Sequence, residues 1–167
     1  MNLDAFWQAL EYSPIGDFVA VSGWAFPALE SAHVIGVVLV VGSIAIMDLR
    51  LLGVASKVCS VSQLSRDTLP WTWAAFVVAA VTGGLLFFSN ASGYAANSFF
   101  QWKMVLLILA GLNMAIFHFF TWKSVHNWDV DCEVPTAGKV AGALSLIFWI
   151  LVVTCGRWIG FTLGGFF

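Results

Sequence analysis

The stretch PALESAHVIGVVLVVGSIAIMDLRLLG, residues 27–53, decides the fold of this chain. It is long enough to cross the roughly 30 Å hydrocarbon core of a bilayer as a helix. Glu30 and His33 nevertheless lie one helical turn apart near its start, and Asp48 and Arg50 lie near its end. Because ionisable groups are costly inside a membrane, such residues need either a partner or a functional role.

The composition of the whole chain places it in the same class. Of its 167 residues, 60% are hydrophobic and only 10% are charged, against roughly 25% in soluble domains. The net charge of -2 excludes a strong electrostatic basis for binding nucleic acid. Three cysteines without metal-ligand spacing predict neither a disulfide framework nor a zinc site. The sequence therefore predicts an integral membrane protein.

Four stretches are apolar enough to span, at about 27–52, 71–88, 101–122 and 140–158. Residues 1–26 form a separate segment, in which Leu3, Phe6, Trp7 and Leu10 have the spacing of a short amphipathic helix. Ser13-Pro14 is typical of the start of a second helix. We therefore expect an all-α integral membrane protein, with a four-transmembrane-helix bundle at 27–167. The amphipathic segment should lie on the periplasmic membrane surface and cover the mouth of the bundle.

Lysine and arginine predict the orientation of the bundle. Five of the seven fall in or beside the first and third connections between spans, namely Arg50, Lys57, Arg66, Lys123 and Lys139. The positive-inside rule places these connections in the cytoplasm. We expect a bacterial inner-membrane protein with both termini in the periplasm.

Several segments resemble a family of small bacterial inner-membrane proteins of unknown function. They are WAFPALESAH (24–33), DLRLLG (48–53), LPWTWAAF (69–76), KMVLLILAGLN (103–113) followed by FH (117–118), and GR (156–157). The chain departs from this pattern at Ser98, where a proline would follow Asn97, and the departure affects a turn. The resemblance implies a fold and a location but no activity, so function has to be argued from residues.

Depth in the membrane decides which polar groups can meet. At about 1.5 Å per residue, His33 lies roughly 10 Å to the periplasmic side of the centre of its span. By the same measure His118 lies roughly 9 Å to the cytoplasmic side of the centre of its own span. A haem clamped between these two histidines is therefore not expected, because both ligands of one iron lie at nearly the same depth.

The same measure predicts two other metal-ligand pairs. Met104 is level with His33, and Met47 is level with His118. Histidine and methionine together are known haem ligands, so two haems stacked across the membrane are one hypothesis. Gly36 and Gly111 would leave room for the flat group on these faces. The alternative is that methionine is ordinary apolar filler.

A polar pocket is expected in the periplasmic half. Glu30, His33, Lys103 and Arg157 share one depth, and Glu30 could form an ion pair with either basic residue. Basic groups beside an axial histidine suit haem propionates, whereas a Glu/His pair suits a quinone. A copper ion and a bundle-locking salt bridge are further alternatives. At the cytoplasmic end, Asp48 and Arg50 would pair with each other or cap the helix against the loop residues Arg66 and Asp67, an arrangement that we interpret as structural. Cys155 is interpreted as a buried apolar residue, and Asn113 as an interhelical hydrogen-bonding residue.

Two functional hypotheses remain open. In the first, His33 is the axial ligand of haem b or the partner of a quinone in electron transfer, with Lys103 and Arg157 neutralising anionic groups and Glu30 orienting His33 or carrying protons. In the second, the chain is a cofactor-free accessory or assembly subunit. Its aromatic lipid face would then pack against partner subunits or a second copy.

Overall fold

The computed structural model describes residues 3–54, 60–129 and 133–163, and every regular element in these ranges is a helix. In chain order the elements are α1 (Leu3–Glu11), α2 (Pro14–Val21), α3 (Ala25–Leu51), α4 (Val61–Phe88), α5 (Ala91–Ala96), α6 (Ser98–Ile116) and α7 (Thr136–Leu163). A π-helical segment, Phe117–Thr121, and a 3₁₀ segment, Trp122–Asn127, continue directly from α6. Four helices are long and apolar enough to cross a membrane, as predicted.

The boundaries of α4 differ most from the prediction. This helix begins at Val61 rather than near residue 71, so the sequence-based span misses ten residues. The Ser60 hydroxyl accepts a hydrogen bond from the Gln63 amide at 3.0 Å and caps the helix there. Arg66 and Asp67 lie exposed on the added turns. Hydropathy alone therefore places the start of this helix too late, because its first turns are polar.

The two N-terminal helices, α1 and α2, lie against one end of the long helices. We call this end the His33 end, and the opposite end the Asp48 end. Pro14 is the first residue of α2, and the Ser13 hydroxyl accepts from the Gly16 amide at 3.2 Å, which confirms the predicted helix start. The Glu11 carboxylate accepts hydrogen bonds from the amide and hydroxyl of Ser92, just inside α5. These contacts hold α1 to α5.

The four long helices pack as a row of neighbours in the order α4, α3, α7 and α6. Small residues allow close approach within the row. A Cβ at Gly36 would lie 3.2 Å from the Cβ of Ala79, and one at Gly142 would lie 3.2 Å from the Asp48 carbonyl oxygen. At the His33 end the two outer helices of the row meet, because the rings of Phe87 and Phe100 stack at 5.3 Å between centroids.

Polar side chains link neighbouring helices within the row. The Thr72 hydroxyl donates to the Ser43 hydroxyl at 2.8 Å, which joins α4 to α3. The Asn113 amide donates to the Ala141 carbonyl at 2.9 Å and joins α6 to α7, which confirms its predicted interhelical role. The tight packing of Gly36 against α4 contradicts the expectation that this residue leaves room for a flat cofactor.

An apolar cluster closes the Asp48 end. Its buried members are Leu51, Val61, Phe117, Val125, Trp128 and Val134. Met47, Trp122 and Ala141 pack against this cluster as half-buried neighbours. Residues from α3, α4, α7 and the segment after α6 therefore share one core at this end.

Beside this cluster, Arg50 does not form the predicted ion pair with Asp48. Its Nη2 donates to the Asp129 carbonyl at 3.3 Å, and the single ion pair found within residues 3–54, 60–129 and 133–163 is Lys139–Glu133. The Asp129 carboxylate accepts from the amide of Ser62 at 2.8 Å and from its hydroxyl. The predicted cap by Arg66 and Asp67 is also wrong, because the chain between α6 and α7 folds back and supplies Asp129.

Candidate functional site

His33 is fixed by helix α4 rather than by another ionisable side chain. Its Nδ1 lies 2.8 Å from the Ala79 carbonyl oxygen and 3.3 Å from the Thr82 hydroxyl oxygen. Because a carbonyl can only accept, Nδ1 carries the proton and donates it to Ala79. In the neutral imidazole Nε2 is then the acceptor, and no hydrogen bond to Nε2 occurs within the described residues. The ring therefore has a fixed tautomer and one nitrogen lone pair available.

Gly83 makes this position of the ring possible. A Cβ at Gly83 would lie 2.8 Å from Cε1 of His33 and 3.1 Å from Nδ1. The imidazole therefore packs directly on the backbone of α4, one turn beyond the carbonyl that orients it. Thr82 completes the wall, and its hydroxyl donates to the Val78 carbonyl at 2.7 Å. Sequence reasoning missed Gly83 and Thr82, because only the pairing of α3 with α4 reveals their role.

Lys103 brings a positive charge to the same region. Its side chain is half-buried between α6 and α7, where a Cβ at Gly156 would lie 3.6 Å from Nζ. The ammonium group interacts electrostatically with His33, so the structure brings together these two predicted site residues. Nζ has no hydrogen bond or ion pair with any described residue. An ammonium group in apolar surroundings without a partner is costly, which favours an anionic ligand here.

Glu30 lies at the rim of the site and does not form the predicted ion pair. It is exposed, and neither Lys103 nor Arg157 pairs with it in the described part of the chain. It interacts electrostatically with Tyr94 on α5. Burial raises the pKa of Tyr94 above its ordinary value, and the Glu30 carboxylate raises it further. Tyr94 also packs on Phe100, with ring centroids 5.7 Å apart.

Arg157 points away from this group. The residue is exposed, and its guanidinium carbon lies 4.5 Å above the centroid of the Phe161 ring. A cation over an aromatic face is a stable arrangement in its own right. The predicted contribution of Arg157 to a shared pocket with His33 is therefore not seen.

The chain matches a protein-family model over nearly its whole length. This family, DUF6644, is described as of unknown function, and it matches residues 6–162. The chain belongs to this family. The resemblance expected from the sequence, to small four-helix proteins of unknown function, is confirmed. No curated protein and no solved structure matches the chain. The function of this DUF6644 chain therefore rests on the geometry of its residues.

The two predicted His/Met pairs are placed differently from each other in this DUF6644 chain. Met104 is 37% exposed, and His118, two heptads further along the same face, is exposed as well. Gly111 lies between them, and a Cβ at this glycine would meet no atom within 4 Å. Met47 instead packs on the apolar cluster of the Asp48 end. The face that carries Met104 and His118 is thus directed outward, away from the neighbouring helices.

His118, like His33, donates from Nδ1 to a backbone carbonyl, but it lies on an outward face. Its Nδ1 donates to the Met114 carbonyl at 3.0 Å, and its ring stacks on Trp122 at 5.6 Å between centroids. Both contacts lie within one continuous helical segment, so they do not join helices. Within the residues that the structure describes, no group of three or more His, Cys, Asp and Glu side chains could hold a metal ion.

Cys155, interpreted from the sequence as a buried apolar residue, lies near Lys103 in the structure. It is a half-buried free thiol on α7 and interacts electrostatically with Lys103. Two residues along a helix correspond to a turn of about 200°. Since Arg157 points outward, Cys155 points inward, and the spacing itself could have indicated this.

Proposed function

We propose that this chain is an integral membrane electron-transfer protein that holds a b-type haem at the His33 end. The observation that carries the proposal is the donation from Nδ1 of His33 to the Ala79 carbonyl. Histidines that ligate metals commonly hold their other ring nitrogen in this way, which fixes the tautomer and orients the ring. Histidine is also a common axial ligand of haem iron. Nε2 of His33 would be the axial ligand.

Lys103 supplies the second element of the proposed site. Its ammonium group lies beside His33 and has no described partner, which suits the negative charge of a haem propionate. Ala79 and Thr82 hold the imidazole in place, which is the role that the sequence hypothesis gave to Glu30. Glu30 remains at the rim beside Tyr94, where the pair could pass protons.

Bound haem would supply one-electron chemistry, and the protein would supply its position and its surroundings. Gly83 excludes any side chain between α4 and the imidazole. The proposal uses one haem only, since Met104 and His118 lie on an outward face and Met47 packs in an apolar cluster. A copper site is not favoured, because soft Cu(I) prefers sulfur ligands and, among the described residues, His33 bonds only to oxygen atoms.

A quinol is the second candidate for the same site. A cavity of about 460 Å³ lies between α2 and the adjoining ends of α3 and α4. Its lining is almost entirely apolar and includes Leu29, one turn before His33 on α3. An isoprenoid chain could occupy such a cavity while the hydroxyl of a quinol donates to Nε2 of His33. The fixed acceptor at Nε2 favours the reduced quinol over the quinone.

The proposal includes a location. We place the chain in the bacterial inner membrane with the His33 end towards the periplasm, in contact with lipid along the four long helices. The support is the concentration of Lys and Arg at the opposite end.

The test is a visible difference spectrum of the purified chain, reduced minus oxidised, after expression with ample haem. A haem α-band is expected in the wild type and its loss is expected in His33→Ala. His118→Ala is the matched control, because His118 has the same Nδ1 hydrogen bond but lies on an outward face. A spectrum without a haem band would overturn the haem proposal. Loss of the band in His118→Ala as well would contradict the single-site geometry.

The reduction potential of a Lys103 variant provides a second test of the same site. Removal of a positive charge near the iron should lower the reduction potential, so Lys103→Gln should have a lower midpoint than the wild type. Arg157→Gln should change it much less, because that guanidinium lies over Phe161. Equal shifts for the two variants would contradict the placement of the propionates at Lys103.

If the spectrum shows no haem band, quinol binding is tested next. Short-chain quinol should protect wild-type protein against thermal unfolding, and Leu29→Trp should remove the protection by filling the cavity. If neither haem nor quinol binds, the chain is better explained as an accessory or assembly subunit. Its exposed apolar faces would then contact other proteins.

A further inference from the structure

Asp48 is the most deeply buried carboxyl among the described residues, and the proposed electron-transfer site does not use it. The residue is 5% exposed and lies on α3, near the end opposite His33. Its Oδ2 has no hydrogen-bond partner, and it is the single buried side-chain polar atom of the described residues with none. Such an atom requires a physical explanation, because buried polar groups are normally paired.

Helix α7 packs against Asp48 on one side. The backbone of Asp48 lies against Gly142, where a Cβ would be 3.2 Å from the Asp48 carbonyl oxygen. Ser145, one turn further along α7, places its hydroxyl close to the carboxyl group. One neutral hydroxyl is therefore the described polar partner of this side chain. It is far less than an ionised carboxylate needs when it is removed from water.

The charged groups of the surrounding elements are directed elsewhere. Arg50 donates to the Asp129 carbonyl, and the Asp129 carboxylate accepts from Ser62. Lys139, at the start of α7, pairs with Glu133, and on α4 Arg66 and Asp67 are exposed. No described cation forms an ion pair with Asp48. A paired cation, which usually compensates the charge of a buried carboxylate, is therefore missing from the described surroundings of Asp48.

We propose that Asp48 is a proton-binding site that carries its proton at neutral pH. Binding adds one proton to the carboxylate and gives a neutral carboxylic acid, with no change in oxidation state. The neutral acid removes the unpaired charge and leaves one uncharged oxygen without a partner, which costs much less. Intramembrane carboxyls of this kind are typical of proton-transfer paths.

A proton fits this site better than a metal cation. Hard cations take six or more oxygen ligands, and the described surroundings of the carboxyl offer one hydroxyl. No group of three or more His, Cys, Asp and Glu residues with metal-binding geometry occurs in the part of the chain that the structure describes. The proposal is independent of the haem or quinol site, which lies at the other end of α3.

The test is infrared spectroscopy of the full chain in detergent, with aspartate ¹³C-labelled at the side-chain carboxyl. At neutral pH the wild type should show a protonated-carboxyl C=O band that shifts with the label. Asp48→Asn should remove this band, and Asp67→Asn, a change of an exposed aspartate on α4, should retain it. Absence of a labelled band in the wild type, or its retention in Asp48→Asn, would overturn the proposal.

Ser145→Ala keeps the proposal testable if Asp48→Asn does not fold. Loss of the Ser145 hydroxyl should move the Asp48 band to higher frequency without removing it, because the carboxyl loses its one described polar neighbour. An unchanged band in Ser145→Ala would assign the signal to another aspartate and contradict the proposal. Exchange of sodium for choline should also leave the band unchanged. A band that disappears on addition of sodium would identify a cation site instead.

Discussion

At the scale of single residues, the most informative position is Gly83, where a missing side chain determines the placement of a functional one. The imidazole of His33 lies against the backbone of α4 at this point and would be only 2.8 Å from a Cβ. The ring and the carbonyl of Ala79 can meet because nothing separates them. A glycine in a sequence is ambiguous, and here the packing of the two helices explains it.

Gly83→Ala should therefore displace His33 and destabilise the protein by about 1–3 kcal/mol, the usual cost of overpacking a close contact. The expected result is a lower Tm in detergent, together with weaker cofactor retention if a cofactor binds at His33. Gly84→Ala is the matched control, since a Cβ there meets nothing within 4 Å. Equal Tm changes in the two variants would contradict the packing of His33 on Gly83.

Asp129 provides a prediction of pH dependence outside the membrane-spanning helices. Burial raises the pKa of its carboxyl, but hydrogen bonds from the side chain and backbone of Ser62 and the nearby His126 outweigh burial and bring the pKa below its ordinary value. A carboxyl with a lowered pKa stabilises the folded state above its unfolded-state pKa. That stabilisation is lost as the pH falls through the lowered, folded-state value.

Asp129→Asn should therefore reduce the free energy of unfolding at neutral pH by about 1 kcal/mol, as expected for weakened charge-assisted hydrogen bonds, and Tm should fall accordingly. The Tm difference from the wild type should shrink as the medium becomes acidic. Asp67→Asn, on an exposed position of α4, should leave Tm unchanged. A difference that stays constant from neutral to acidic pH would show that the charge of Asp129 does not contribute.

At the scale of elements, hydropathy predicted the four long helices because burial in lipid requires long apolar runs. It did not predict where α4 begins, because the turns that carry Arg66 and Asp67 are helical and polar at once. It also could not predict which helices pack together. The order α4, α3, α7 and α6 depends on small contact residues such as Gly36 and Gly142, which resemble every other glycine in the sequence.

The docking of α1 gives a prediction at this scale. Glu11 holds the end of α1 to α5 through the amide and hydroxyl of Ser92, and Trp7 packs on Phe87 with centroids 5.7 Å apart. Glu11→Ala removes the charge-assisted hydrogen bonds, which are worth roughly 1.5–3 kcal/mol.

Amide hydrogen exchange in α1 should consequently become faster by a factor of the order of ten, while exchange in α3 stays unchanged. Gln8→Ala, at an exposed position in the middle of the same helix, is the control and should not alter exchange in α1. Unchanged exchange in Glu11→Ala would mean that apolar contacts alone hold α1 in place.

At the scale of the whole molecule, the sequence predicted the class of the protein better than its site. The class follows from totals, since 60% hydrophobic residues and 10% charged residues leave few alternatives. The site depends on how each helix is rotated about its own axis, and the amino-acid composition carries no information on that rotation. Lys103 and Arg157 have the same predicted depth, yet only Lys103 interacts with His33, because Arg157 points outward over Phe161.

Orientation in the membrane is the remaining whole-molecule property, and charge predicts it. Arg50, Arg66, Lys123 and Lys139 lie at the Asp48 end, whereas Lys103 and Arg157 lie towards the His33 end. The positive-inside rule therefore predicts that the Asp48 end faces the cytoplasm. In a cysteine-free background, Tyr12→Cys at the His33 end should react with a membrane-impermeant thiol reagent in intact spheroplasts, because Tyr12 is 78% exposed.

Gln63→Cys is the matched probe of the other end, since Gln63 is exposed in the first turn of α4. It should react only after the membrane has been permeabilised. The reverse pattern would place His33 on the cytoplasmic side, and the electron donor or acceptor of the proposed site would then have to be sought there.

Removal of the positive charges at Arg66 and Lys123 should weaken the orientation preference and yield a mixed labelling pattern, because these residues contribute to the charge difference between the two ends.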